Sequence, residues 1–492
     1  MSKFYITTPI YYVNDKPHLG HANTNIIADI LARWHRLKGD NVFFLTGSDE
    51  HGEKIERAAS KAGKTTKEFV DEEVNKFKIA WKKLNISYDY FIRTSDANHE
   101  FAVKEFIKKL NENNDIYKSK YRGWYCIYDE SFWTDLELKN GKCPECGREV
   151  EILEEDAYFF KLSKYQDRLL DFYNQKKDFI IPEYRAREMI NRIDKGLKDI
   201  SITRSAIKWA IQFPLDSNQY IYVWIDALVN YISALNWPEK EKFDLFWPPD
   251  VQVIGKDINW FHSVIWPCLL FSAKIELPRK ILVHGWWTVN NEKMSKSKGN
   301  AIDPIEITDK YSADILRYFL IREKPLDEDG DFSEEKLISR INGELVSDLG
   351  NLIYRVLSLA EKIQSAENIK FEGIPELNDK LDINKIDNAI ENLNLNLGLS
   401  IIWQFIRDSN KYINEKKVWE LEGKNLSNAL YNLLESCRII SILIYSFMPE
   451  TADKIAQQLN TKIDFNECRF SEKQFMGKIK KGDYLFKKID KK

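Results

Sequence analysis

Residues 3–51 read KFYITTPIYYVNDKPHLGHANTNIIADILARWHRLKGDNVFFLTGSDEH, and the fold follows from where this stretch changes its period. Lys3 to Thr8 is a short run of apolar, aromatic and β-branched residues, the pattern of a buried strand. From His18 onward Ile26, Ile27, Ile30, Leu31, Trp34 and Leu37 recur at helical spacing until Gly39 stops the pattern. Asn41 to Thr46 is then a second strand. Strand, loop, helix, strand is a βαβ unit, whose ligands bind outside the carboxyl ends of the strands. Both loops at that end carry histidines, His18 and His21 in the first and His51 in the second.

A second set comes late, with strands at Val251 to Ile254 and Ile281 to His284 flanking a helix from about Ile258 to Ala273. The expected fold is α/β, a split Rossmann-type parallel sheet: residues 1–115 form its first half, 116–222 a connective insertion and 223–336 its second half. From about Leu337 the chain reads as nearly all helix, through Asn384 to Trp403 and again through Leu426 to Phe447, so 337–492 is expected to be an all-α helical bundle.

The chain has 492 residues, 43% of them hydrophobic and 13% aromatic, enough for about three domains of roughly 150 residues. A hormone-like peptide or a disordered tail is excluded. Apolar runs such as Val264 to Ala273 fall short of the roughly 20 residues of a membrane helix, so no membrane association is expected. No basic, apolar and cleavable leader opens the sequence, which implies a cytoplasmic protein. With 73 Lys and Arg against 76 Asp and Glu, the net charge of -3 gives no general attraction to polyanions, so nucleic acid must be met by a local patch.

His18-Leu19-Gly20-His21 lies where strand gives way to helix. Two imidazoles and the first backbone N–H groups there converge at the positive end of a helix, which suits a triphosphate, and Gly20 lets a flat base approach the backbone. Lys293-Met294-Ser295-Lys296-Ser297 follows the last strand. Two lysines at i and i+3 in a Ser-rich loop can close on a phosphoryl group in the transition state.

Together the two strings resemble the signatures of class I aminoacyl-tRNA synthetases, which adenylate an amino acid with ATP and pass it to tRNA. The resemblance implies ATP with Mg2+, His18, His21, Lys293 and Lys296 as catalytic residues, and Gly20, Met294 and Ser297 as further ATP contacts. The first step is an in-line attack by a carboxylate on the α-phosphate, so catalysis is positioning and charge stabilisation. Small-molecule nucleotidyltransferases share an HxGH loop, but would leave the helical C-terminal part without a role. A catalytically silent tRNA-binding scaffold would leave two intact phosphate signatures unused.

Aromatic residues at Trp224, Tyr231, Trp260, Phe261 and Trp266 suit a large apolar substrate side chain. With Pro9-Ile10-Tyr11-Tyr12 before HLGH and Gly47-Ser48-Asp49-Glu50-His51-Gly52 after the second strand, nearly the whole chain resembles the methionyl-tRNA synthetase family. By that resemblance Ile10, Tyr12, Trp224, Ala227, Leu228, Tyr231, Ile258 and His262 line a methionine pocket, Trp266 gates it from behind, and Asp49 holds the α-ammonium. Rings plus one Tyr hydroxyl or His donor suit a thioether. The insertion has no extra block of about two hundred residues, where the isoleucine, valine and leucine enzymes carry an editing domain.

Of six cysteines, Cys126, Cys143 and Cys146 crowd into 21 positions, which points to metal, while Cys268 and Cys437 read as core. Cys143-Pro144-Glu145-Cys146-Gly147 is a zinc-knuckle half-site, and Cys126-Ile127-Tyr128-Asp129 is its partner. The family usually has a second cysteine at the position of Asp129. A Cys3Asp site with structural Zn2+ is expected, the alternatives being three cysteines completed by water or Glu130, or a knuckle without metal.

Asn351 and Arg355 stand at i and i+4, and in the family this pair contacts anticodon bases, while Trp419 offers a stacking face. Val418 replaces the usual Pro before that Trp. The implied partners are L-methionine and the initiator and elongator tRNA-Met. Without an appended β-rich segment after Lys492, a monomer is expected.

Overall fold

The computed structural model describes the chain except for residues 1, 15, 134, 136, 206, 295–299, 368, 369, 472, 473, 476, 491 and 492, and except for the side chains of 293 and 365–367. Two compact units form, one of Met1–Ala28, Asn41–Lys82 and Ser87–His284, the other of Asp29–Asp40, Lys83–Ile86 and Gly285–Lys492.

The first unit is built on strands β1 (Lys3–Tyr12), β2 (Asn41–Asp49) and β3 (Tyr90–Arg93); helix α1 (Leu19–Leu37) runs between β1 and β2 in the chain, its residues from Asp29 on belonging to the second unit. Helix α2 (Glu53–Lys61) follows β2, and α3 (Ala97–Glu112) follows β3. The insertion contributes β4 (Ile116–Cys126), β5 (Ser131–Trp133), β6 (Glu151–Phe160) and β7 (Ile180–Ile181). The chain returns through α4 (Val223–Leu228), β8 (Val251–Gly255), α5 (Trp266–Ala273) and β9 (Ile281–His284).

Six strands form one sheet in the order β3-β2-β1-β8-β9-β7, and every pair in it is parallel. Parallel strands are covered on both faces, which is why β1, β2, β8 and β9 read as near-continuous buried runs rather than alternating ones. The expected strand over Lys3 to Thr8 extends to Tyr12. Its register against β2 shifts between Thr7 and Ile10, at Pro9, which has no N–H to give a ladder.

One expectation needs correction. Residues 116–222 are not wholly an insertion, because β7 pairs with β9 and forms an edge of the main sheet. Two residues are too short a run to carry any periodicity. The rest of the insertion holds an antiparallel sheet in which β4 runs beside β6 from Ile116↔Phe160 to Tyr125↔Glu151.

In the second unit, Trp287–Val289 and Glu292–Lys293 make a hairpin whose turn residues Asn290 and Asn291 both have positive φ, 54° and 60°, as a tight two-residue hairpin requires. Helices Asn351–Glu367, Leu395–Glu415, Gly423–Ile444 and Pro449–Leu459 make up most of the remainder. The helical pattern read through Asn384 to Trp403 is two helices, because Leu393 takes φ 62° and Asn394 then caps the second by accepting from the N–H of Leu397. Arg317 is fully buried here, pairing with Asp29 at 2.7 Å and donating to the carbonyls of Phe447, Ser446 and Leu84.

Candidate active site

Strands β1 and β2 end side by side, with Tyr12 opposite Asp49 in register. Gly47 makes this closeness possible: a Cβ there would lie 2.2 Å from the Ile92 carbonyl oxygen and 3.0 Å from the Ile10 side chain. Past β1, the rings of His18 and His21 stack with centroids 3.7 Å apart. The Nδ1 of His18 accepts from the N–H of Gly20 at 3.0 Å, and the Nδ1 of His21 accepts from the N–H of His18 at 3.3 Å. Both neutral rings therefore carry their proton on Nε2, which makes Nε2–H the donor edge of each. The same fold explains Gly20, since a Cβ would come within 2.9 Å of the His18 ring.

The residues expected around methionine gather at the carboxyl end of the same sheet. Trp224, on α4, lies flat on Phe261 at 3.8 Å and 9°, and meets Tyr12 edge-on at 6.4 Å. Ala227 and Leu228 are buried on the same helix, Ile10 is half-buried on β1, and Ile258 is half-buried just beyond β8. His262 sits in a π-helical turn, Phe261–Ile265, a widened geometry often found at functional sites. Trp266 is fully buried behind, 6.1 Å from Tyr231, and its indole N–H has no hydrogen-bond partner among the described residues.

The hydrogen-bond roles bear on the polar anchor expected for the thioether, a Tyr hydroxyl or His donor. Nδ1 of His262 faces the Ile258 carbonyl at 3.0 Å and must donate to it, so Nε2 accepts from the Tyr231 hydroxyl at 2.7 Å. Burial pushes His262 down to about 4, which keeps the ring neutral at pH 7. Both protons are spent within the protein. A thioether here would be recognised by aromatic faces rather than by a Tyr or His donor.

Asp49 is 3% exposed, and its Oδ1 has no hydrogen-bond partner among the described residues. Burial first, then the charges of Asp226 and Glu130, raise its carboxyl well above the usual carboxylate range, while the backbone N–H of His51 opposes them. Sequence reasoning missed Asp226, His99 and Glu130 as members of this site. Only the polarity of Asp226 within the apolar run Tyr222 to Tyr231 could have marked it, and His99 stands between Asn98 and Glu100 with nothing to single it out.

Cys126, Asp129, Cys143 and Cys146 bring their ligand atoms within 4.8 Å of one another. The Sγ atoms of Cys126 and Cys146 are 3.6 Å apart, and Cys143 Sγ is 3.1 Å from Asp129 Oδ2. Four ligands around an ion at about 2.3 Å for sulfur have sulfurs roughly 3.8 Å apart, so the quartet fits tetrahedral zinc. Gly147, at φ 71°, turns its N–H back onto the Cys143 carbonyl at 2.9 Å. Glu130 is not a member. It is fully buried, and its carboxylate instead accepts from the Lys54 N–H at 3.0 Å and the Tyr12 hydroxyl at 3.2 Å. The neighbouring backbone reaches α4 and the residue before it, the Asp129 carbonyl accepting from Trp224 Nε1 at 3.5 Å and the Glu130 carbonyl from the Tyr222 hydroxyl.

In the second unit Lys293 ends a strand and Met294 is buried, while Lys296 and Ser297 lie outside the described residues. Asn351 is exposed at the start of its helix, and Arg355, one turn on, donates to Asn414 Oδ1 at 3.2 Å. Trp419 is 56% exposed on a short turn whose preceding residue, Val418, is buried.

A family described as tRNA synthetases class I (M) matches residues 4–152 and 136–357, and one described as the anticodon-binding domain of tRNA ligase matches residues 380–488. Fold and site together define a class I aminoacyl-tRNA synthetase. Methionine–tRNA ligase of Caldanaerobacter subterraneus subsp. tengcongensis is 47% identical, the match covering 99% of this chain and 79% of that one. For the Thermotoga maritima enzyme of the same name the identity is 45%, covering 100% and 81%. The solved Mycobacterium tuberculosis methionyl-tRNA synthetase in complex with methionyl-adenylate superposes with a TM-score of 0.93 at 37% identity, over 99% of this chain and 100% of that one. The chain belongs to the methionyl-tRNA synthetase family.

Proposed function

We propose that the protein activates L-methionine with ATP to methionyl-adenylate, releasing pyrophosphate, and transfers the methionyl group to the 3' end of tRNA-Met, for both initiation and elongation. The observation that carries the reading is the aromatic site of Tyr12, Trp224, Phe261 and Tyr231 beside an acid, Asp49, whose buried Oδ1 has no partner among the described residues. The aromatic faces take the thioether and Asp49 takes the α-ammonium, which leaves the substrate carboxylate to attack the α-phosphate. Nε2–H of His18 and His21, with Lys293 and Lys296, stabilises charge on the phosphate oxygens as the bond to pyrophosphate breaks. Gly20, Met294 and Ser297 complete the ATP contacts, and Mg2+ accompanies the nucleotide.

Zn2+ is held by Cys126, Asp129, Cys143 and Cys146 and is structural, fixing the turn from which Asp129 and Glu130 reach the site. In the helical part, Asn351 and Arg355 read base edges while Trp419 stacks on an unpaired base. The protein acts as a cytoplasmic monomer. The deciding measurement is amino-acid-dependent exchange of labelled pyrophosphate into ATP, with methionine run beside leucine, isoleucine, valine and cysteine. Exchange with methionine alone is expected. Exchange with another amino acid keeps the class and overturns the substrate, and none at all overturns the reading.

A further inference from the structure

Behind Asp49 lies a buried polar chain that the reaction itself does not use. Asp226, on α4, is completely buried, and each of its carboxylate oxygens meets a different histidine. Oδ2 is 2.7 Å from His51 Nδ1, and Oδ1 is 2.7 Å from His99 Nε2. His99, on α3, passes its other ring nitrogen to Ser233 Oγ at 2.7 Å. His51 lies two residues beyond Asp49, and its backbone N–H faces the Asp49 carboxylate and favours its charged form. All four of these side chains are at most 5% exposed.

Such a chain in a dry interior is costly unless its charges compensate, and the alternative to an unpaired second carboxylate near Asp49 is protonation of one of the two. We infer that the His51–Asp226 ion pair is the positioning device that offsets much of the Asp226 charge felt by Asp49, keeping Asp49 able to face the substrate ammonium as a carboxylate, and so sets the strength and pH dependence of methionine binding. The inference rests on the assignment of Asp49 to the ammonium.

The surrounding charges agree with it. Burial lowers His51, but the charge and hydrogen bond of Asp226 outweigh it and hold the imidazole above its ordinary value. Burial likewise raises Asp226, and His51 and His99 outweigh that and hold it ionised. The other groups facing this cluster are Glu130, Glu50 and Glu100, which add negative charge, the Lys54 ammonium, which acts on Asp49 from α2, and the Tyr12 hydroxyl. Against so much acid, a neutral residue in place of His51 exposes Asp49 to the full charge of Asp226. Its carboxyl then takes a proton at higher pH and no longer holds an ammonium.

The test is methionine affinity by titration calorimetry between about pH 5.5 and 9, beside the desamino analogue 4-(methylsulfanyl)butanoate. His51→Gln keeps the backbone N–H that Asp49 uses. It is expected to move the acid limb of methionine binding up by about one pH unit and to weaken binding near neutrality about tenfold, since one unit is a factor of ten. The analogue, lacking the ammonium, should be unaffected. The double variant His51→Gln/Asp226→Asn removes both charges and should restore the limb to or below its original position. Asp226→Asn alone should move the limb down and serves if His51→Gln does not fold. An unmoved limb, equal loss for both ligands, or a double variant no better than the single one overturns the inference. Failure of the unaltered protein to bind methionine at all would instead overturn the assigned substrate.

Discussion

Tyr12 donates its hydroxyl to Glu130 Oε2 at 3.2 Å, although 118 residues separate them and one ends a sheet strand while the other turns at the knuckle. The other carboxylate oxygen accepts from the Lys54 N–H and so caps α2, which has no side-chain cap of its own. Gly52 is part of the same fit, for a Cβ there would lie 2.4 Å from Glu130 Oε1. Glu130→Ala frees both donors, and about 1–3 kcal/mol of stability should be lost. Because Tyr12 borders the expected methionine site, the Michaelis constant for methionine should rise several-fold with that for ATP little changed. Equal rises in both would separate Glu130 from the amino-acid side.

The Cys3Asp quartet predicts about one zinc per chain by elemental analysis. Asp129→Ala should lower that content, whereas Asp129→Cys, which substitutes a thiolate, should retain the metal against stronger chelator. Chelation should lower Tm in the native protein. Metal-free protein whose Tm ignores chelator would end the zinc assignment.

His262 gives a pH signature. Its folded value of about 4 lies below the ordinary 6.5, so between these values the unfolded chain holds a proton that the folded one does not. Stability from this group is complete above about 6.5 and is lost as the pH falls toward 4, by about 3 kcal/mol in all. Urea midpoints measured from pH 7 down to 4 should fall less steeply in His262→Asn than in the unaltered protein. Parallel curves would show that His262 does not titrate in this window.

In the second unit, Arg317→Met takes a buried guanidinium from the Asp29 carboxylate, which Arg33 also meets at 2.8 Å, and strips hydrogen bonds from three backbone carbonyls. A cost of about 3 kcal/mol or more is expected. Chemical denaturation monitored in both proteins would measure it, and a loss below 1 kcal/mol, the size of a surface pair, would contradict the burial argument.

Trp419→Ala should leave pyrophosphate exchange intact and weaken tRNA charging by about 1–3 kcal/mol, the worth of one stacked base. A matching loss of exchange would make the residue structural instead.

Much of this was legible in the order of residues. The change from a buried run to helical spacing at His18 announced β1 and α1, and Ile281 to His284 is a strand over the very residues read as one. The Cys and Asp quartet was legible too, because an offset of three within each half-site is a local feature. What sequence could not supply is whatever depends on distant partners. Asp226 meets His51 across 175 positions and His99 across 127, and none of the three has a local reason to be polar and buried. The two residues of β7 have no periodicity, and which of Tyr231 and His262 donates depends on a carbonyl four residues from the ring. Leu393 carries a left-handed turn that a leucine does not advertise.

The strand order has a consequence for synthesis. β1 is interior, paired on one side with β2 and on the other with β8, where Ile6 lies opposite Val251. At about 5–20 residues per second, roughly 240 residues take some 12–50 s to emerge from the ribosome. Through that interval β1, β2 and β3 form at most a half-sheet whose β1 edge has its hydrogen-bonding groups unpaired, the kind of edge on which other chains add strands. The nascent chain is therefore most prone to aggregate while the insertion is being translated; docking of Val251–Gly255 covers the β1 edge, and Ile281–His284 then covers that of β8.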